Sequence, residues 1–162
     1  MKAEDILEAA RRRRESDQVE TEYQDILRVS LDNEWYGIDI ANVVEVRECP
    51  KVFSIPHTPD YIVGVVNLRG EILSIMDIRK LLGLSTASDD QKHIVVIEKD
   101  SIKVGIRVNR ADSVMTIPES DIKALMSTTD KARGFVAGET QFRGEVIAVL
   151  NLDALIELED TV

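Results

Sequence analysis

One cysteine in 162 residues, two histidines and no long apolar run remove several protein classes at the start. Cys49 has no second cysteine for an internal disulfide, which fits a reducing compartment. A membrane helix needs about 20 consecutive apolar residues, and no stretch approaches that length. The N-terminus lacks the apolar segment of a signal peptide, so a soluble cytoplasmic protein is expected. His57 and His93 stand in no metal-ligand spacing with Cys49 or with each other. His57, between Pro56 and Thr58, reads as a loop residue, and Cys49, beside Pro50, as inert. P-loop, G-x-S-x-G and dinucleotide fingerprints are missing. Paired carboxylates for acid–base work cannot be recognised without geometry. We assign no catalytic residue, metal or cofactor.

Positive charge is the minority sign. Thirty acidic against 20 basic residues give a net charge of −10, which argues against nucleic-acid or anionic-membrane binding. Arg11 to Arg14 form the one basic run, inside an N-terminal tail, residues 1–22, read as flexible or as a short helix. Ile6, Leu7 and Ala10 would form one side of that helix, with Glu8 and Arg12 paired four residues apart. Glu8, Glu15 and Asp17 flank the run, so a solvated face is the plain reading. Residues 23–162 still carry −8.

What the chain does have is a copy of itself. Tyr61 to Leu82 lies over Phe135 to Ile156 without a gap at an offset of 74. Gly64, Arg69, Gly70, Glu71 and Leu81 meet Gly138, Arg143, Gly144, Glu145 and Leu155. Upstream, at an offset of 68, Ile26 to Val29 faces Ile94 to Ile97, and Gly37 to Ile40 faces Gly105 to Val108. The length difference falls in the connectors, Arg47 to Asp60 against Met115 to Gly134. Two units of this size, about 23–84 and 91–156, each bury little and would lean on one another. Ser85 to Gln91 is the expected passage between them.

Each unit reads mainly as strands. Gln24 to Leu31 and Trp35 to Ile40 flank the turn residues Asp32-Asn33-Glu34, and Val43 to Val46 continues extended. Ile62 to Leu68 and Glu71 to Met76 form a second hairpin turning at Arg69-Gly70. Gly70 and Gly144 belong there because such turns need positive φ. Asp77 and Asn151 are N-caps, each before an apolar-periodic turn or two, with Gly83 placed to end the first. Five short strands and a helical turn, given twice, predict paired small β-barrels whose partial closure limits exposed edges.

The segment GVVNLRGEILSIMDIRKLLGL, Gly64 to Leu84, resembles the CheW family of chemotaxis coupling proteins. YGIDIANVVEV, Tyr36 to Val46, and VGIRVNRADSV, Val104 to Val114, are similar to further signatures of that family. The resemblance runs from about Tyr23 to the C-terminus and leaves out the tail. It implies two five-stranded Src-homology-like barrels around a shared hydrophobic core, with short helices at the barrel ends. It also implies a non-catalytic adaptor that links chemoreceptor cytoplasmic tips to the regulatory domain of the histidine kinase CheA. Receptor helices would lie along the groove between units and the kinase on barrel ends, with self-association in membrane-associated receptor arrays. By matched position, Arg69 is the family's sensitive arginine and Glu45 its acidic partner. Val43, Gly64, Val95 and Val96 align with positions implicated in partner contacts. Asn67, Gly70 and Gly144 are structural.

From the residues alone, Arg69 is either a solvated turn charge or a guanidinium fork presented to a partner. Val63 and Val65, facing Ala137 and Glu139 of the second copy, lie either in the seam between units or on a partner surface. Two other readings stay open. One is a ligand-binding double barrel with the groove as pocket. The other is the same adaptor chemistry serving surface motility or another kinase pathway.

Overall fold

A computed structural model describes residues 2–124 and 134–160, the side chains of residues 13–20 excepted. The first unit contributes β1 (Tyr23–Leu31), β2 (Glu34–Asp39), β3 (Val43–Glu48), β4 (Ile62–Leu68) and β5 (Glu71–Met76). The second contributes β6 (His93–Lys99), β7 (Ile102–Val108), β8 (Arg110–Pro118), β9 (Val136–Phe142) and β10 (Glu145–Leu150). Helices α1 (Ala3–Glu20) and α2 (Leu152–Asp160) lie at the two ends. Strands β3 and β8 run into what the sequence assigned to the connectors. The second connector, expected to end at Gly134, lies partly outside the described residues.

The two sequence units are not the two sheets. One sheet runs β8-β1-β2-β10-β9 and the other β3-β6-β7-β5-β4. Each therefore takes two strands from one unit and three from the other. A 3-10 turn at Ile40–Asn42, capped by the Asp39 side chain on the Ala41 N–H at 3.0 Å, carries the chain out of the first sheet. Asn109 sits at the matching crossing, where its side chain accepts the Asp32 N–H at 2.7 Å. The division at 84/91 expected from sequence is thus a division of the repeat and not of the hydrogen-bonded layers. The expected β architecture stands: two five-stranded sheets, mainly antiparallel, with parallel pairing among the described residues only at β2–β10 and β5–β7. The edges of each sheet approach at one bridge, Phe53 with Val65 in one and Lys123 with Glu139 in the other.

Burial follows from this exchange. The main apolar cluster lies between the sheets and draws on both, from Leu27, Val29 and Ile38 to Val95, Ile97 and Ile106. Each sheet also encloses a smaller cluster of its own. In one it is Val66, Leu68, Leu73, Ile75, Ile94 and Val96; in the other, Ile26, Met115, Ile117, Ile147 and Val149.

The units close differently. Asn151 caps α2 by accepting the Ala154 N–H at 3.3 Å. After Asp77 the chain makes only turns, so the helix expected there is not formed. Gly83, at φ +77°, terminates this copy where Glu157 stands in the other and the helix continues. The Asp77 carboxylate is engaged instead by Arg79, whose Nη2 reaches it at 2.8 Å and whose Nη1 reaches Asp32 at 3.2 Å and the Ser88 carbonyl at 2.7 Å. This 4% exposed arginine ties the closing turn of one sheet to a hairpin of the other and to the passage between units. In α1, Arg12 and Glu8 pair at 3.0 Å as expected, and Ile6 and Leu7 are exposed.

Candidate partner-binding surfaces

The β4–β5 hairpin turns at Arg69 and Gly70 with φ of +53° and +83°, the double positive-φ conformation that follows the twist of paired strands. Asn67 locks it, its side-chain oxygen accepting the Gly70 N–H at 2.9 Å. The turn lifts the Arg69 side chain toward solvent, where it is 68% exposed. There Nη2 donates to both oxygens of Glu45, at 2.7 and 2.5 Å. Glu45, 23% exposed, stands on β3 opposite Val96, on the side of the strand that faces the sheet's own cluster. Two strands that share no ladder are joined here by an ion pair over one end of the sheet.

The copy shows that this pair is not required by the fold. Arg143 turns the β9–β10 hairpin at φ +52°, but Ser113 occupies the position matching Glu45. Arg143 lies over the Phe142 ring instead, at 5.0 Å. The turn is inherited; the ion pair is particular to the first copy.

Other residues expected at this surface are placed elsewhere. Val95 and Val96 are fully buried, one in the shared cluster and one in the sheet's own cluster. Strand β6 lies between β3 and β7 with apolar packing on both faces, so neither side chain is available to a partner. Gly64 is also buried, for a local reason. A Cβ there would fall 2.3 Å from the Phe53 carbonyl oxygen, at φ +155° beside a register shift in β4. Gly64→Val should therefore cost about 1–3 kcal/mol, the range for overpacking, read as a lower urea midpoint with an unchanged slope. Val43 is half-buried against the shared cluster. Val63 and Val65 are half-buried as well, Val63 against the sheet's own cluster, so both retain a partly accessible face.

The apolar edges are not among the residues expected from sequence. Val46 pairs with Val95 and Val114 with Leu27, so both lie on the faces that form the shared cluster, yet both are exposed, as is Val44. Edge strands β3 and β8 thus carry the inter-sheet face out into solvent. The signal was present as V-V-x-V and its matched valine, but alternation alone does not say which strand is an edge. Arg79 was also missed; its spacing from the capping Asp77 was the available clue. Among the described residues no group of three or more His, Cys, Asp or Glu is arranged to hold a metal ion. None of the described helices is long and apolar enough to cross a membrane.

A family model described as the CheW-like domain matches residues 25–160, which leaves α1 outside. The chain is 32% identical over 143 residues to a chemotaxis protein CheW of Klebsiella aerogenes, covering 87% of this chain and 86% of that one. It is 27% identical over 139 residues to a chemotaxis protein CheW of Rhizobium meliloti, covering 85% and 90%. Among solved structures, the scaffolding protein TtCheW of Thermoanaerobacter tengcongensis superposes with a TM-score of 0.71 at 32% identity, over 81% of this chain and 86% of that one. The duplicated signatures, the two five-stranded sheets and these matches agree: the chain belongs to the CheW family, the non-catalytic scaffolds of chemotaxis.

Proposed function

We propose that this chain couples chemoreceptors to the histidine kinase CheA, holding the receptor's cytoplasmic tip and the kinase regulatory domain on separate surfaces. The observation that carries the reading is the Glu45–Arg69 pair. A half-buried carboxylate fixes an exposed guanidinium at a rigid turn, and its remaining N–H donors face solvent. Such preorganisation lowers the ordering cost of a contact, and arginine is frequent among residues that dominate interfaces. The exposed valines of β3 and of β8 add apolar surface on each of these edges, fit for a receptor helix. The kinase domain would take a sheet end. The setting is the cytoplasm, with recruitment to receptor arrays and self-association there.

Contacts at or below the usual size of roughly 1,200–2,000 Å² would be individually modest. Array strength would then come from many such contacts acting together. Arg69→Ala should weaken binding by about 1–3 kcal/mol, roughly fivefold to 150-fold, while thermal stability stays nearly unchanged. A comparable loss of stability would make Arg69 structural. The direct test is receptor-controlled kinase phosphorylation reconstituted with and without this chain, beside pull-downs with a receptor signalling fragment and with CheA. A folded sample that binds neither would end the proposal.

A further inference from the structure

The end of the sheet that lacks the Glu45–Arg69 pair carries a different chemistry. Arg28 on β1 lies 3.7 Å from the centroid of Trp35, the one tryptophan of the chain. Its guanidinium is held by Asp112 through bonds of 3.0 and 2.8 Å and stands 3.7 Å from Glu145. Arg110 approaches the same ring from β8 at 5.7 Å. Phe142, cross-strand from Glu145, lies under Arg143. Trp35 and Phe142 both pack on the cluster of Ile26, Met115, Ile117, Ile147 and Val149, so these residues crown one end of that sheet.

The repeat supplies an internal control. Asn42, Leu68, Val96 and Lys103 occupy the positions that match Arg110, Phe142, Arg28 and Trp35, and the same fold forms. Nothing in the architecture demands an arginine–aromatic cluster. Asp112 and Glu145 sequester Arg28, whose side chain is largely covered and which stiffens Trp35 beneath it. Arg110 and Arg143 are exposed, with no ion pair among the described residues. Two open guanidinium groups stand over half-buried aromatic rings, on a chain of net charge −10. Arginine over an aromatic face still has its edge free to bond a carboxylate.

We infer that this sheet end is a docking surface for an acidic segment of a partner protein. Carboxylates of that segment bond Arg110 and Arg143, and its apolar side chains cover Trp35 and Phe142. A membrane fits less well, since both rings are half-buried in the sheet and have little to insert. The inference is separate from the coupling reading, because the test contains neither receptor nor kinase.

Trp35 reports its own surface. A synthetic amphipathic helix with a glutamate face and a leucine face is titrated into the full chain, and tryptophan emission is followed. Saturable change that weakens with added salt is expected, absent for the same peptide with glutamine in place of glutamate. Arg110→Glu with Arg143→Glu should weaken binding at least tenfold while the melting temperature holds, and Arg69→Ala should leave it unchanged. A peptide with a lysine face should bind the doubly reversed chain more tightly than the parent, and a cooperative melt shows that chain to be folded. Equal binding of the glutamine peptide, or equal binding by the doubly reversed chain, overturns the inference. So does no response at all, or binding only to phosphatidylserine vesicles.

Discussion

Cut between Ser85 and Gln91, the chain should give two pieces, neither of which folds alone. Each piece is a complete sequence repeat, yet each lacks the strands its own must pair with. In residues 23–84, β3 has lost β6, β5 has lost β7, and β1 and β2 have lost β8 and β10. The inter-sheet cluster loses about half of its members at the same stroke. A lone hairpin and a three-strand remnant without a second layer fall below the size that supports independent folding. Circular dichroism and amide NMR of each purified piece should show no cooperative melt. The two pieces produced together should purify together and recover one. A half that melts cooperatively by itself would refute the exchange of strands between units.

The largest loss from a single side chain is expected at Arg79. Its guanidinium is almost wholly covered and answers two carboxylates, Asp77 and Asp32, that belong to different sheets. Removing one partner of a buried pair leaves charge without compensation, at a cost of about 3–5 kcal/mol. For a chain of this size that lowers the melting temperature by roughly 10 °C or more. The effect has a pH signature. Burial by itself would push the Asp77 carboxyl up, but its hydrogen bonds and charge contact with Arg79 hold it below the usual carboxylate value of 3.8. A depressed folded-state value means stability that is complete above the ordinary carboxylate range and lost as pH falls through the folded value. In Arg79→Ala the burial is opposed only by the backbone N–H of residue 79 and the charge of Arg107, so protonating Asp77 should cost the folded chain less. The stability gap between parent and variant should therefore narrow as pH drops below about 4. A gap that is constant with pH would assign the loss to packing alone. Asp112, also held low, first by its hydrogen bond from Arg28, is common to both proteins and cancels in the difference.

Much of the site was legible for local reasons. Arg69-Gly70 announced a turn because few residues tolerate positive φ in succession, and Asn67 sits where its side chain can close that turn. Glu45 as partner came from resemblance alone; no spacing rule places residue 45 against residue 69. The misplaced pair, Val95 and Val96, shows the limit of a strand pattern. Consecutive valines indicate a strand covered on both faces as readily as one with a contact face. Position within a sheet decides between them, and β6 is an inner strand. Gly64 stands in the sequence as a position matched to partner contacts; the atom that requires glycine there, the Phe53 carbonyl oxygen, comes from across a connector.

By itself the sequence determined the strands, the turns, the duplication and the family. Each of these is written in apolar alternation, glycine and capping side chains that act within a few residues. Long-range packing sets which sheet each strand joins, which matched positions become ion pair, aromatic cluster or core, and which valines reach solvent. Backbone ladders bond N–H to C=O whatever the side chain, so two similar repeats can pair within themselves or across. The choice lies with the core that all ten strands bury together.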